Sequence, residues 1–153
     1  MNKFPRSAYV HIPFCHRRCF YCDFAVIPLG NKVETLQGYG SKTVKEYLHF
    51  LYKEILSIKH KSSLSTIYVG GGTPSILDPQ QIKQLIDLFK ENYGVDYGAE
   101  ITMEVDPASF NLDDLHGFIN AGINRFSLGV QSFNNQILKK SGRRHLRLSL
   151  IHI

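Results

Sequence analysis

The sequence predicts an α/β fold in which parallel strands alternate with helices. Apolar or β-branched runs predict four strands, at Ala8–His11, Thr66–Val69, Glu100–Val105 and Arg125–Val130. A helix signal follows each of these runs, and strict alternation with such short helices implies parallel strands joined by right-handed crossovers. Loops that follow the strands of such a sheet meet at one face, where ligands bind.

The helices are marked by periodicity and by residues that start or stop a helix. From Thr43 to Ile58, apolar residues recur at the spacing of one helix face. A polar, glycine-containing connector over residues 27–40 is expected before this helix. Residues typical of helix ends predict the bounds of the other three helices. The second begins at Asp78, Pro79 and Gln81 and stops at Gly94, the third begins at Asn111 and stops at Gly122, and the fourth begins at Phe133 and Asn134.

Composition is ordinary for one soluble globular domain of 153 residues. The N-terminus lacks a signal-peptide pattern, since Pro5 and Arg6 stand where an apolar run is needed, and no membrane span is predicted. We therefore expect a cytoplasmic protein. The net charge of +5 is compatible with a solvated face or with an anionic partner. No basic patch is interleaved with aromatic residues, so nucleic acid is not an expected partner.

All three cysteines, Cys15, Cys19 and Cys22, lie in one loop after the first strand with the spacing CxxxCxxC. An odd number of cysteines cannot all pair as disulfides. Zinc usually takes four ligands from two separated pairs. An iron–sulfur cube normally takes four cysteines, so three leave one iron open to another ligand. The alternative is three structural or free thiols.

The wider run Tyr9–Phe24, YVHIPFCxxxCxYCDF, resembles the radical S-adenosylmethionine (SAM) superfamily. More narrowly, it resembles the oxygen-independent coproporphyrinogen oxidase family and its heme-chaperone relatives. The resemblance implies that Cys15, Cys19 and Cys22 hold a [4Fe–4S] cluster whose fourth iron is chelated by SAM. It also implies a partial TIM barrel with parallel strands, of which this chain supplies about four β/α units.

Further motifs extend the resemblance. Gly70–Pro74, with the sequence GGGTP, follows the second strand and resembles the glycine motif that contacts SAM. Glycine also lets backbone approach a ligand closely. By the resemblance, the SAM contacts are Tyr9, Tyr21, Gly71, Gly72, Thr73, Glu104, Gln131 and Arg143. The alternatives are a core tyrosine at Tyr9, a solvated carboxylate at Glu104 and a helix-start residue at Gln131.

The resemblance implies heme or porphyrin as ligand and an electron donor such as flavodoxin or ferredoxin. In the oxidases, a 5′-deoxyadenosyl radical starts the decarboxylation of porphyrin propionates to vinyl groups. Those enzymes carry a further cysteine soon after the third, as CxC, whereas Asp23 and Phe24 follow Cys22 here, as in the heme chaperones. We therefore expect heme binding and transfer, with oxidation of coproporphyrinogen as the alternative.

The end of the chain departs from the resemblance, which is dense from Tyr9 to His145. Residues 146–153 alternate leucine with polar residues, a pattern that suits a strand. We therefore expect a partial radical SAM core over residues 1–145 and an aberrant tail over residues 146–153, from a frameshift or premature stop. The family's C-terminal region, where heme is expected to bind, would then be absent, and an inactive fragment is a third possibility.

Overall fold

A computed structural model describes residues 4–30, 39–58 and 62–150. The strands are β1 (Ser7–Ile12), β2 (Phe14–Cys15), β3 (Ile27–Pro28), β4 (Leu64–Gly71), β5 (Val95–Val105) and β6 (Arg125–Leu128). The helices are α1 (Tyr39–Ser57), α2 (Pro79–Asn92), α3 (Leu112–Ala121) and α4 (Asn135–Lys140). Two 3₁₀ turns, at Pro74–Ile76 and Arg147–Leu150, complete the elements of the described residues.

Four strands form one parallel sheet in the spatial order β1-β4-β5-β6, which confirms the predicted parallel α/β fold. Each strand lies next to the following one in the chain, so the sheet always grows in one direction, as in a barrel. The two-residue strands β2 and β3 pair separately beside the end of β1. This small pairing fixes the start of the cysteine loop, and the sequence pattern did not predict it.

The two faces of the sheet differ in polarity. The registered neighbours Val10, Val69 and Met103 are almost fully buried and belong to the hydrophobic core. Helices α1 to α3 contribute the opposing core residues, such as Leu85 of α2. The residues one position earlier in each of these strands, among them Tyr68, lie on the opposite face of the sheet, because side chains alternate across a strand.

The helix ends confirm several predictions. Asp78 caps α2 in a complete capping box, and Asn111 caps α3 in another. Gly122 ends α3 with φ at +107°, a left-handed conformation that favours glycine. Asn134 caps α4, so this helix begins at Asn135 rather than at the predicted pair Phe133 and Asn134. These caps begin each helix directly after the loop that leaves a strand.

Several predicted bounds differ from the structure, including the start of β5, which lies at Val95 rather than at Glu100. Helix α1 begins at Tyr39, so Gly40 is helical rather than part of the connector, of which residues 31–38 lie outside the described residues. Strand β6 ends at Leu128 because the chain turns there, and the N–H of Val130 donates back to Leu128 O at 2.9 Å. The tail forms a 3₁₀ turn at Arg147–Leu150 instead of a strand. Residues 151–153 lie outside the described residues.

The tail turns for a local reason. The N–H of Ser149 donates to Leu146 O at 3.0 Å, and the N–H of Arg147 donates to Asn135 Oδ1 at 2.8 Å. The second contact joins the tail to the first turn of α4. Alternation of apolar and polar residues makes a strand only where a neighbouring strand offers a ladder, and these backbone groups bond elsewhere.

Candidate functional site

A cavity of about 330 Å³ opens at the carboxyl ends of the sheet strands. The loops that follow β1, β4, β5 and β6 all contribute to its wall, which confirms that they converge. Ten of the eleven site residues predicted from the sequence line this cavity: Cys15, Cys19, Tyr21, Cys22, Gly71, Gly72, Thr73, Glu104, Gln131 and Arg143. Their roles as ligands remain predictions.

The three cysteines are free thiols on one side of the cavity. Cys15 is buried, and Thr73 Oγ1 donates to its Sγ at 3.3 Å. Burial raises the pKa of the Cys15 thiol, and the Thr73 hydrogen bond opposes this effect. The Nη1 of Arg143 donates to Cys19 Sγ at 3.6 Å. Two of the three sulfurs therefore have a donor placed to stabilise a thiolate.

The three thiols line one cavity. Among residues 4–30, 39–58 and 62–150, no group of three His, Cys, Asp or Glu side chains is arranged to hold a metal ion. A structural zinc ion draws its ligands onto one atom at about 2.3 Å. In an iron–sulfur cube each thiolate binds a different iron, so the sulfurs stay further apart. Three thiols at one cavity are compatible with the cluster that the resemblance implies.

The glycine motif continues the sheet alongside the cysteine loop. The N–H of Gly72 donates to Ile12 O at 2.9 Å, and that of Thr73 donates to Phe14 O at 2.8 Å. A Cβ on Gly72 would lie 2.6 Å from Phe14 O and 2.9 Å from Cys15 Sγ. The sequence analysis attributed these glycines to close approach of a ligand. The structure adds another reason, because the nearest atoms belong to the protein's own cysteine loop.

Glu104 is held in place rather than simply solvated. Its Oε1 accepts a hydrogen bond from the Tyr68 hydroxyl at 2.7 Å, and its Oε2 accepts the N–H of Gly71 at 3.1 Å. The hydrogen bond to Glu104, with a smaller effect of burial, raises the pKa of Tyr68. Tyr68 was not predicted as a site residue. Its signal was a polar aromatic residue between the apolar residues Ile67 and Val69, two residues before the glycine motif.

Arg143 brings a positive charge to the cavity on a side chain that is only 8% exposed. Its Nη2 forms an ion pair with Asp106 Oδ2 at 2.9 Å and donates to Gly129 O at 2.7 Å. Asp106 and Cys19 together raise the pKa of Arg143, although burial opposes them. Asp106 directly follows β5, and no role at the site was predicted for it. Its N–H donates to Ser75 Oγ at 3.0 Å, which fixes its position.

One donor at this site has no acceptor. The buried Nε of Arg143 has no hydrogen-bond partner in the part of the chain that the structure describes. Buried polar groups in native proteins are nearly always paired, so an orphaned donor beside a cavity is compatible with a site that a ligand completes. The donor set therefore fits a ligand with an acceptor oxygen as well as a cluster.

Tyr9 does not line the cavity. It is 60% exposed, its ring stacks on Tyr68 with centroids 6.1 Å apart, and its hydroxyl lies 3.0 Å from His11 Nδ1. A core tyrosine is therefore wrong at this position. Gln131 lies three residues before the N-cap of α4, so it is not a helix-start residue. Its φ of +64° is unusual for a residue other than glycine.

A sequence model described as the radical SAM superfamily matches residues 9–148. The match covers most of the chain and every residue of the cavity wall. The chain belongs to the radical SAM superfamily. Membership implies a [4Fe–4S] cluster and SAM, in agreement with the donor set at the cavity.

Curated relatives fall into two groups. The heme chaperone HemW of Synechocystis sp. is 42% identical over 144 residues, which are 94% of this chain and 34% of that protein. The oxygen-independent coproporphyrinogen III oxidase of Escherichia coli K12 is 39% identical over 145 residues, 91% of this chain and 29% of that protein. The chain thus spans about a third of the length of these relatives.

A solved structure shares the fold. Coproporphyrinogen III oxidase (HemN) from Escherichia coli, described as a radical SAM enzyme, matches with a TM-score of 0.80 and 35% identity. The match covers 95% of this chain and 32% of that one. The fold is therefore part of a radical SAM barrel. No helix among the described residues has the length and apolar character needed to cross a membrane.

Proposed function

We propose that this chain forms the cluster-binding and SAM-binding part of a heme chaperone. One observation carries the proposal: three thiols, a glycine turn, a fixed carboxylate and a buried arginine meet at one cavity. Residues 1–145 form the partial radical SAM core in this proposal. The match covers 34% of the Synechocystis chaperone, so heme transfer is proposed only for the full-length chaperone to which this part corresponds.

Each side chain has a role that its chemistry supports. Cys15, Cys19 and Cys22 hold the cluster through their thiolates, and Arg143 stabilises the negative charge on Cys19. When bound, the cluster and SAM together supply one-electron reductive cleavage of a carbon–sulfur bond. The carboxylate of Glu104, positioned by Tyr68 and the Gly71 N–H, would hold the cationic amine of SAM.

The remaining contacts shape the SAM pocket. The unpaired Nε of Arg143 is available to an acceptor such as a carboxylate oxygen. Gly71, Gly72 and Thr73 present backbone to the ligand, and Tyr21 and Gln131 close the wall. Tyr9 lies outside the cavity wall. In this proposal it supports the site indirectly, because its ring stacks on Tyr68, whose hydroxyl holds Glu104.

The sequence after the third cysteine supports a chaperone. Asp23 and Phe24 stand where the resemblance expects the additional cysteine of an oxidase. Relatives named heme chaperone HemW reach 42% and 38% identity. In this proposal the protein works in the cytoplasm, where thiols stay reduced, and a flavodoxin or ferredoxin reduces the cluster.

Oxidation of coproporphyrinogen is the second candidate. It is favoured by the 39% identity to the Escherichia coli oxidase and by the TM-score of 0.80 to its solved structure. The same cavity serves both candidates, because both need the cluster and SAM. Within this chain, the residues that separate the two candidates are Asp23 and Phe24, which stand where the resemblance expects the additional cysteine of an oxidase.

Two chimeras test the choice. This chain replaces the matching third of the Synechocystis chaperone in one chimera and of the Escherichia coli oxidase in the other. After anaerobic reconstitution, heme is titrated into the first, and the second is supplied with SAM, reductant and coproporphyrinogen. We expect heme binding by the first and no vinyl product from the second. Vinyl product would favour the oxidase, and absence of iron from both would overturn the proposed site.

A further inference from the structure

The turn that carries Gln131 has an unusual backbone. The N–H of Ser132 donates to Val130 O at 2.8 Å, which closes a three-residue γ-turn around Gln131. With a φ of +64°, Gln131 is the only residue other than glycine that has a positive φ within residues 4–30, 39–58 and 62–150. A γ-turn with a positive φ at its centre is rare and strained. Such strain persists only where the surrounding structure holds it in place.

His145 contacts this turn from a distant segment. It is 3% exposed, and its Nε2 lies 3.0 Å from Val130 O. A carbonyl oxygen only accepts hydrogen bonds, so Nε2 carries the proton and donates it. Arg143 lies two residues earlier, and its Nη2 donates to Gly129 O at 2.7 Å. The segment after α4 therefore bonds to two successive carbonyls just before Gln131.

Packing alone does not explain a histidine at this position. The buried Nδ1 of His145 has no hydrogen-bond partner in the part of the chain that the structure describes. Burial of a polar atom without a partner lowers stability, and an apolar side chain of similar volume would avoid this cost. His145 does not line the cavity, so direct contact with a ligand there does not explain it either. The bond from Nε2 to Val130 O is what an apolar side chain could not supply.

The turn places the Gln131 amide beside Arg143. A Cβ built on Gly129 would lie 3.5 Å from Arg143 Nη2 and 3.6 Å from Gln131 Nε2, so both side chains approach one point of the cavity wall. We infer that His145 is a positioning residue: its bond to Val130 O keeps Gln131 in the strained turn, with the amide directed to the SAM pocket. This inference rests on the proposed function, in which Gln131 closes the wall of that pocket.

Two substitutions at His145 separate the hydrogen bond from the packing. His145→Leu fills a similar volume without a donor, and His145→Gln places a side-chain N–H near the position of Nε2. SAM is titrated into each chain after anaerobic reconstitution of the cluster. We expect SAM binding to weaken about tenfold in His145→Leu, the fold-change that corresponds to one hydrogen bond, and to stay within about threefold of wild type in His145→Gln.

Asn92→Leu is the matched control for a purely structural contact. Asn92 Nδ2 donates to Ile55 O at 2.6 Å and to Ile58 O at 2.8 Å, so it too joins distant segments through a side-chain N–H and backbone carbonyls. Asn92 does not line the cavity. We expect Asn92→Leu to lower the urea midpoint but to leave SAM binding within about twofold of wild type. Equal weakening of SAM binding by the two leucine variants, or none by either, would overturn the inference.

A double-mutant cycle tests whether His145 acts through Gln131. Gln131→Gly adopts a positive φ without strain but loses the amide, so we expect it to weaken SAM binding by itself. His145→Leu should then weaken binding by less than about twofold more, because the two residues act as a unit. A full tenfold effect of His145→Leu in the Gln131→Gly background would show that His145 acts by another route.

Hydrogen exchange separates this test from that of the proposed function. The Ser132 N–H that closes the turn is followed in the chain without its cluster. We expect it to exchange about tenfold faster in His145→Leu than in wild type or Asn92→Leu, since one bond that holds the turn closed is lost. Equal exchange in all three chains would contradict the inference. A wild-type chain that takes up neither iron nor SAM would instead overturn the proposed function.

Discussion

Gly72 is the position at which one methyl group tests the packing of the site. A Cβ there would lie 2.6 Å from Phe14 O and 2.9 Å from Cys15 Sγ, closer than real contacts. Phe14 O also accepts the N–H of Thr73 at 2.8 Å, so backbone on both sides would have to move. We expect Gly72→Ala to lower the free energy of unfolding by about 1–3 kcal/mol, the usual cost of overpacking.

The displacement would also reach the cluster site. Because the added methyl pushes against Cys15, we expect bound iron to fall well below about four per chain after anaerobic reconstitution. Gly129→Ala is the control, since Gly129 lines the same cavity but a Cβ there meets nothing closer than 3.5 Å. We expect the control to keep its iron and to unfold within about 0.5 kcal/mol of wild type.

Urea unfolding and iron analysis on the same preparations give both quantities. If Gly72→Ala unfolds like wild type and retains its iron, close packing between the glycine motif and the cysteine loop does not position Cys15. That result would refute the reasoning. A loss of iron in both variants would show that the cavity is generally intolerant and would equally refute a specific role for Gly72.

Three further changes test other contacts. Asp78→Ala removes the acceptor of the Gln80 N–H at 2.7 Å, and we expect urea unfolding to show a loss of about 1 kcal/mol; an unchanged midpoint would contradict the cap. Tyr68 has a raised pKa in the folded state, so its contribution to stability is complete below pH 10 and is lost as pH rises through the raised value. Unfolding measured between about pH 9 and 12 should therefore depend less on pH in Tyr68→Phe than in wild type, and equal slopes would contradict this. Asp106→Asn leaves the guanidinium of Arg143 buried without its partner, and we expect a loss of about 2–4 kcal/mol in urea unfolding; a loss below about 0.5 kcal/mol would show that the pair is solvated.

Local patterns were enough to predict the fold. Asp78 and Asn111 formed the predicted caps because a capping box depends on residues three positions apart. The parallel order followed from alternating elements, since a crossover leaves few other topologies. Convergence of the strand-end loops then followed from the topology alone. Boundaries were less predictable, because strand ends depend on neighbours that the pattern does not contain.

Contacts between distant segments could not be predicted in the same way. The pairs of Arg143 with Asp106 and of Phe20 with Ser141 join residues far apart in sequence. The tail illustrates the opposite case. Its alternating pattern predicted a strand, but the backbone N–H of Arg147 donates a hydrogen bond to Asn135 instead.

The central claim is that Cys15, Cys19 and Cys22 hold an iron–sulfur cluster with one iron open to SAM. Anaerobic reconstitution followed by electron paramagnetic resonance of the reduced chain, with and without SAM, tests it most directly. The account predicts about four irons per chain and a spectrum that changes when SAM is added. One zinc ion per chain, or a cluster spectrum that SAM leaves unchanged, would contradict it.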